Sequence, residues 1–323
     1  MGSSSVNGFE FWNTETMDAP PTQADYFIGI DGGGSRCRSR LRDADGRLLA
    51  SVHGGAANVT IDFDAAVATV QSCIHETLRQ AGISARVGAG VRVGLGLAGA
   101  ATRSLAEQVE AMLGGPGDAV VVNDAVTACI GAHAGQDGGL VVAGTGSVAI
   151  ARLAGAEHIL GGRGFVLGDD GSGARIGLDA WRRALRAHDG LEPASDLTRQ
   201  LMALFNDDPS AVIRWGVRAK SSDYGAHAPA TFVAAGKGDP VAVSIVTQAA
   251  DALSELARAV QALGVERMAL VGGIADAIRP YLPGDMADQL GVPMLDATEG
   301  AIMLVGGRVP CLGTLRSMTE PRP

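Results

Sequence analysis

Short apolar runs that end in glycine or aspartate recur along the chain and predict the strands of an α/β protein. The runs are YFIGIDGGGS (26–35), VRVGLGLAGA (91–100), VVVNDA (120–125), GLVVAGTGSVA (139–149), RMALVGGIAD (267–276) and VPMLDATEGA (292–301). Continuous apolar runs of this length are typical of strands buried on both faces of a sheet. The same order of elements occurs twice along the chain: a glycine loop, then helical sequence, then a glycine turn, then a strand that ends in aspartate. This repeat indicates two related α/β halves.

The residues after the first glycine run predict a strand. Arginine alternates with Cys37, Ser39 and Leu41, a period of two that predicts a strand with one face toward water. DADG (43–46) then predicts a hairpin turn and RLLASV the returning strand. GTGS (144–147) is also followed by a strand-like run, so both glycine loops are predicted to join strands rather than to open helices.

Helix start and stop signals define the remaining elements and the domain organisation. Helices are predicted over 62–82, 105–113, after Ser172, and from Asp239-Pro240 to Gly264. The polar residues 1–24 predict a disordered leader, 25–135 an N-terminal domain, and 136–323 a larger C-terminal domain with a helical insertion at about 190–265.

Composition excludes several classes of protein. The net charge is −9, so the chain lacks the basic footprint of a nucleic-acid or membrane-surface binder. The four cysteines are widely spaced and the six histidines form no metal-binding pattern, which argues against a disulfide scaffold and against zinc or iron–sulfur sites. No apolar run is long enough to span a membrane. The chain is predicted to be soluble and cytoplasmic.

A glycine-rich chain of this kind raises three nucleotide-binding hypotheses. A P-loop is excluded because no G-x-x-x-x-G-K-[ST] sequence occurs. Gly94, Gly96 and Gly99 form G-x-G-x-x-G, with Asp124 at the end of the next strand, which would fit an NAD-dependent dehydrogenase. That hypothesis gives no role to DGGGS and GTGS. Two glycine hairpins whose backbone N–H groups cradle phosphates would use both.

Five motifs in order resemble one family over about residues 26–305. They are DGGGS, NDAVTACIGA, VVAGTGSVA, GGRGFVLGDDGSGARIG and LVGGIAD. Together they resemble the N-acetylglucosamine kinases, bacterial glucosamine kinases and activating ATPases of acyl-CoA dehydratases, within the actin, hexokinase and heat-shock-protein-70 superfamily. The cysteines that hold the activating ATPases' iron–sulfur cluster, and the zinc motif of repressor-type sugar kinases, are absent, so an amino-sugar kinase fits best.

The resemblance implies a fold and a reaction. The fold would be two α/β, ribonuclease-H-like (actin-like ATPase) domains with a cleft between them. The reaction would be transfer of the ATP γ-phosphoryl group, with Mg²⁺, to the 6-hydroxyl of N-acetylglucosamine or glucosamine, and relatives of this kind are commonly homodimers. A sugar or ATP sensor that keeps the fold without turnover is the non-catalytic alternative.

The resemblance also implies residue roles. Asp124 matches the family's catalytic base; the alternative role for Asp124 is that of a helix N-cap. Asp31 matches the residue that organises Mg²⁺, acting through water. The implied phosphate-binding residues are Gly32, Gly33, Gly34, Ser35, Gly144, Thr145 and Gly146; the adenosine-binding residues are Gly272 and Gly273; and the sugar-binding residues are Asn58, Thr145, Gly162, Gly164 and Asp169.

Some positions carry a departure or an alternative. Arg163 stands where N-acetylglucosamine kinases carry Trp, and this departure puts the preference for an acylated sugar in question. Asn58 could equally serve its own turn instead of the sugar. Gly272 and Gly273 could form a tight strand-to-helix turn instead of an adenosine site. Three aromatic residues on predicted helices, Trp181, Trp215 and Tyr224, are interpreted as packing residues rather than sugar platforms.

Overall fold

The computed structural model of the protein describes residues 24–34, 36–115 and 117–310. The chain divides into two compact units: the first holds 24–138, 151–158 and 295–310, and the second holds Gly139–Ile150 and Ile159–Met294. The predicted leader lies outside the described residues apart from Ala24. The predicted boundary at 135/136 falls near the first break, whereas 295–310 clusters with the first unit and not with the residues that precede it in sequence.

Eleven strands and twelve α-helices are assigned among the described residues. The strands are β1 (Tyr26–Gly32), β2 (Cys37–Asp43), β3 (Leu48–Gly54), β4 (Arg86–Val87), β5 (Gly90–Leu97), β6 (Ala119–Asn123), β7 (Gly138–Ala143), β8 (Ser147–Leu153), β9 (Ala156–Gly161), β10 (Met268–Val271) and β11 (Leu290–Gly291). The helices are α1 (Phe63–Gln80), α2 (Arg103–Leu113), α3 (Asp124–Ala132), α4 (Gly173–His188), α5 (Asp196–Ala203), α6 (Pro209–Gly216), α7 (Ser221–Gly225), α8 (Ala228–Gly236), α9 (Pro240–Gln261), α10 (Ala275–Ile278), α11 (Gly284–Gln289) and α12 (Ala297–Leu304).

The first unit is built on a mixed six-stranded sheet. Its order is β3-β2-β1-β5-β4, with β6 also paired to β5. β1, β2 and β3 form an antiparallel meander, while β1, β5 and β6 run parallel. Ile28 and Ile30 of β1 pack in one core cluster and Phe27 in another, so this strand is buried on both faces, as the continuous apolar run predicts.

The alternating arginines of β2 face carboxylates and not only water. Cys37, Ser39 and Leu41 are buried, as the period of two predicts. On the other face, Arg38 pairs with Asp31 at 2.6 Å, Arg40 with Asp296 at 2.9 Å, and Arg42 with Glu299 at 2.6 Å. The prediction of a solvent-facing side therefore needs a correction: α12 and the end of β1 supply anions that half-bury this face.

Helix α12 joins the first unit through glycines that permit close backbone contact. A Cβ atom at Gly29 or Gly94 would overlap carbonyl oxygens of Thr298 and Ala301, and one at Gly300 would overlap the carbonyl of Thr127 in α3. These contacts let α12 lie directly on β1, β5 and α3. They explain why a segment late in the sequence belongs to the first unit.

The second unit contains most residues of a five-stranded sheet with the order β11-β10-β7-β8-β9; the end of β8 and the start of β9 fall within 151–158, which cluster with the first unit. β10 runs parallel to both β7 and β11. Helices α5 to α9 occupy most of the region predicted as a helical insertion. Among the described residues, no helix has the length and apolar character needed to cross a bilayer.

Most predicted elements are confirmed, and one is wrong. Asp62, Ser172 and Asp239 cap α1, α4 and α9 through their side chains, as predicted. The strand predicted at 292–301 is absent: β11 ends at Gly291, and Asp296 instead caps α12 by accepting the N–H of Glu299 at 3.1 Å. An Asp that accepts N–H groups of the following turn favours a helix start over continued strand.

Candidate active site

Asp124 lies where β6 ends and α3 begins. Asn123 is the N-cap residue, and its Oδ1 accepts the N–H of Ala125 at 3.0 Å. Oδ1 of Asp124 accepts the same N–H at 3.0 Å. The neighbouring asparagine is therefore the capping residue, and Asp124, the first helical residue, is not the N-cap considered as the alternative for it.

The environment of Asp124 raises its pKa to about 6. Burial, which disfavours the charged form, is the main cause, and the negative charge of Asp31 adds to it, while backbone N–H groups partly oppose the shift. A carboxyl group that titrates near neutral pH can accept a proton better than an ordinary aspartate. The raised pKa of Asp124 therefore suits a general base.

Asp31 lies at the end of β1 and is held by one arginine. Arg38 donates to Oδ2 of Asp31 from Nε at 3.2 Å and from Nη2 at 2.6 Å. Because both donors bind one oxygen, the other oxygen of Asp31 has no hydrogen-bond partner among the described residues and can bind water or a cation. Arg38 was not among the predicted site residues, although its place in the alternating arginine run was the available signal.

The residues of the first glycine hairpin differ in what they contact. A Cβ atom at Gly32 would lie 2.6 Å from a Leu97 methyl group, so this glycine is required for packing. The N–H of Gly33 is bonded to the carbonyl of Arg36 at 2.9 Å and closes the hairpin. Gly34 is exposed, and a Cβ atom there would meet no atom within 4 Å. Ser35 lies outside the described residues.

Asn58 uses its side-chain oxygen in its own turn. Oδ1 accepts the N–H groups of Thr60 at 3.0 Å and Ile61 at 3.3 Å. The turn role considered for Asn58 is therefore present. Its amide Nδ2 is not used in that turn and can still donate to a ligand.

The second glycine hairpin sits against the start of α4. The N–H of Gly144 binds the carbonyl of Gly146 at 2.9 Å, and the carbonyl of Gly144 accepts from Gly173, the first residue of α4, at 2.8 Å. Thr145 is exposed between them. A tight glycine turn at a helix N-terminus is a favourable place for an anion.

The predicted sugar-binding residues of the second unit lie beside this hairpin. Asp169 is half-buried and has a positive φ of 60°; burial raises the pKa of its carboxyl group, and the nearby backbone N–H groups of Ser147 and Gly164 partly oppose that shift. A Cβ atom at Gly146 would lie 2.8 Å from the Asp169 carboxylate. The N–H of Gly162 binds the carbonyl of Ser147 at 3.0 Å. The structure thus brings Gly146, Gly162, Gly164 and Asp169 together within one unit.

Gly272 and Gly273 form the turn after β10. A Cβ atom at Gly272, where φ is 115°, would overlap the backbone of Ala143 at the end of β7. Gly273 is exposed and open. The tight turn considered for this pair is present, and its outer glycine leaves room for a flat ligand against the backbone.

The three aromatic residues interpreted as packing residues form one cluster. The Trp181 and Trp215 ring centroids are 5.2 Å apart, and those of Trp215 and Tyr224 are 5.0 Å apart. Trp181 is 2% exposed, so it offers no face to a sugar. Their packing role is confirmed.

The described residues place no group of three or more His, Cys, Asp and Glu side chains around a metal position. Mg²⁺ does not require such a cage, because it keeps several waters and binds one or two carboxylates together with phosphate oxygens. Asp31, with one oxygen available, fits this demand.

Comparison with solved structures defines the fold. A crystal structure of a candidate N-acetylglucosamine kinase from Chromobacterium violaceum superposes with a TM-score of 0.82 at 33% identity, covering 88% of this chain and 99% of that one. The predicted α/β fold class with two domains is confirmed.

Residues 28–304 match the BadF/BadG/BcrA/BcrD ATPase family. The chain belongs to that family, and membership in an ATPase family implies that ATP is its nucleotide. The glucosamine kinase GspK of Vibrio cholerae is 36% identical over 287 residues, which cover 87% of this chain and 96% of the relative. An N-acetyl-D-glucosamine kinase of Dictyostelium discoideum is 30% identical, covering 75% of this chain and 82% of the relative.

The predicted family is confirmed, and the dehydrogenase hypothesis is wrong. Gly94 faces the backbone of Ala301, and a Cβ atom at Gly96 would overlap the side chain of Thr127. Both glycines are occupied by contacts with helices and leave no space for a pyrophosphate. Their spacing arises from packing of α3 and α12 on β5.

Proposed function

We propose that the chain is an ATP-dependent kinase that phosphorylates an amino sugar, glucosamine or N-acetylglucosamine, at the 6-hydroxyl. The observation that carries the proposal is the half-buried Asp124, whose pKa is raised to about 6, in a chain whose full-length relatives include a glucosamine kinase. Transfer to a hydroxyl group requires a base that accepts its proton as the phosphoryl group arrives. Asp124 has the chemistry for that role.

The phosphates would be bound mainly by backbone N–H groups. The exposed Gly34 and the turn around Thr145 offer such groups without side chains that would block an approach. Thr145 can add a hydroxyl donor to a phosphate or to the sugar. Backbone donors fixed before binding stabilise the charge of the transferring group without reorganisation.

Asp31 would hold Mg²⁺ through a water ligand. The bound cation would neutralise charge on the β- and γ-phosphate oxygens. Arg38 fixes the orientation of the Asp31 carboxylate and leaves one of its oxygens available. The adenosine would lie against Gly272 and Gly273.

The sugar would be bound by Asp169, by backbone at Gly162 and Gly164, and by the amide of Asn58. Carboxylates accept hydroxyl donors strongly, and charge-assisted hydrogen bonds exceed neutral ones in strength. The carboxylate of Asp169 also suits the ammonium group of glucosamine. This favours glucosamine as the substrate to test first. Arg163 points the same way, because it stands where the N-acetylglucosamine kinases carry Trp.

An ADP-release assay over a sugar panel tests the proposal. Glucosamine, N-acetylglucosamine, glucose and N-acetylmannosamine would be compared, with 6-deoxyglucosamine as the probe for the reacting hydroxyl. We expect rapid ADP release with one of the two named amino sugars and none with the 6-deoxy analogue. Sugar and ATP binding without ADP release would instead identify a sensor, and release with the 6-deoxy sugar would overturn the position of transfer.

The activity should fall below about pH 6. Asp124 must be unprotonated to accept the hydroxyl proton, and its pKa of about 6 places the acid limb there, not near pH 4. A profile of log kcat/KM against pH is expected to fall with a slope of one on that side. An acid limb that stays flat down to pH 5 would contradict Asp124 as the base.

We also propose that the chain is cytoplasmic and forms a homodimer, as the family resemblance implies. Sedimentation equilibrium of the purified chain determines its oligomeric state, and a mass that stays monomeric at the highest protein concentration would reject the dimer.

A further inference from the structure

The segment 162–170, here called the sugar loop, connects β9 to α4. Few apolar contacts hold it, since Val166 is 84% exposed and Leu167 is 83% exposed. Two internal hydrogen bonds are present: the carbonyl of Gly164 accepts the N–H of Leu167 at 3.2 Å and the N–H of Gly168 at 2.8 Å. A loop with so little burial needs other contacts to hold one shape.

One side chain of α4, Arg175, contacts the sugar loop in three ways. Its Nε donates to the carbonyl of Gly168 at 3.2 Å, and the same atom lies 3.4 Å from Oδ1 of Asp170. Its guanidinium carbon lies 5.9 Å from the ring centroid of Phe165. Arg175 is the second residue after the start of a helix and is therefore fixed to a rigid element.

Phe165 is the apolar anchor of the loop. Its ring is 5.3 Å from that of Tyr224, which belongs to the aromatic cluster, and the Tyr224 hydroxyl donates to the carbonyl of Gly216 at 3.0 Å. Arg175 thus covers Phe165 on one side while Tyr224 contacts it on another. A guanidinium near an aromatic ring adds a cation–π attraction.

Near the end of the loop lies Asp169, whose carboxylate must be ionised and correctly directed to bind hydroxyl groups. Burial raises the pKa of Asp169, and Asp170 adds to the shift, while the N–H groups of Ser147 and Gly164 and the charge of Arg175 oppose it. Arg175 therefore supports both the shape of the loop and the charge of its acidic residue.

We propose that Arg175 is a positioning residue for sugar recognition, which fixes the sugar loop through Gly168, Phe165 and Asp170 so that Asp169 is held in place for the sugar. The inference rests on the proposed amino-sugar kinase function. It assigns Arg175 no contact with the substrate and no part in ATP binding.

Two measurements on Arg175→Met test it, with Arg175→Lys as the conservative variant. Arg182→Met is the matched control, because Arg182 is an exposed residue of the same helix that pairs with Asp179. In hydrogen exchange, amides of 162–170 should exchange faster in Arg175→Met while the rest of α4 is unchanged. In kinetics, the sugar KM should rise on the order of ten-fold, as expected for loss of a charge-assisted hydrogen bond, with the KM for ATP unchanged.

The two measurements separate the inference from the function on which it rests. Unchanged exchange of the loop in Arg175→Met overturns the inference whether or not the protein phosphorylates sugars, as does faster exchange with an unchanged sugar KM. A third outcome is faster exchange in Arg175→Met together with a wild type that phosphorylates no sugar. Arg175 would then support the loop, but both the kinase function and a role in sugar recognition would be rejected. Arg175→Lys should restore part of the sugar affinity, because it keeps the charge but not the planar donor.

Discussion

Asp124→Asn is expected to abolish most sugar phosphorylation while leaving ATP binding intact. An amide cannot accept the proton of the sugar hydroxyl, and loss of a general base typically lowers the rate by roughly 10²–10⁴-fold. The amide oxygen can still accept the N–H of Ala125, so the start of α3 should persist. kcat from coupled ADP release, together with the melting shift produced by ATP and Mg²⁺, checks both halves of the expectation.

The same variant should be more stable than the wild type at neutral pH. The pKa of Asp124 is about 6 in the folded chain against 3.8 for an ordinary aspartate, so between these values the folded state binds more protons than the unfolded state. The free energy of unfolding therefore declines as pH rises through that window, and the full penalty applies above it. Asn avoids this penalty: its melting temperature should exceed that of the wild type at pH 7 and approach it at pH 4.

Asp196→Asn is the matched control for this experiment. Asp196 is also the first residue of a helix, α5, but it is exposed and pairs with Arg199. Replacement of Asp196 should leave turnover unchanged, and the variant's melting temperature should not rise above that of the wild type at pH 7. Near-normal turnover in Asp124→Asn would reject the proposed base, and a lower stability at pH 7 would reject the buried carboxylate as the cause.

Local signals in the sequence were enough to predict the elements that frame the site. Glycine followed by an alternating run predicted the hairpin of β1 and β2, and Asp62, Ser172 and Asp239 marked helix starts. These features depend on residues near one another in the chain, where capping and strand periodicity act. Asp124 could be singled out because it follows a buried strand and precedes a helix.

Contacts between distant segments could not be predicted in this way. The arginines of β2 were interpreted as facing water because nothing nearby in sequence matches them, whereas Asp296 and Glu299 come from more than 250 positions away. The run at 292–301 is apolar enough for a strand, but its Asp296 caps and its Gly300 belongs to a helix that packs on β1. Side-chain partners of this kind depend on tertiary structure, which overrides a local pattern.

Gly94→Ala is expected to destabilise the protein strongly without acting on a nucleotide site. The added methyl group would overlap the carbonyl oxygen of Ala301, and neither β5 nor α12 can move easily because both lie in the packed first unit. Overpacking costs about 1–3 kcal/mol, and the overlap with a backbone carbonyl oxygen places this change at the upper end of that range. For a chain of this size that corresponds to a fall in melting temperature of roughly 5 °C or more, measured by calorimetry.

Gly55→Ala gives the matched comparison, since a Cβ atom at Gly55 meets no atom within 4 Å. It should leave the melting temperature nearly unchanged. If Gly94 instead served a dinucleotide, Gly94→Ala would fold normally, and the wild type would show a melting shift with NAD that the variant lacks. The structure predicts the opposite result, because Gly94, the first glycine of the apparent fingerprint, is where α12 contacts the sheet. The same packing of α12 places Asp296 against Arg40 and Glu299 against Arg42.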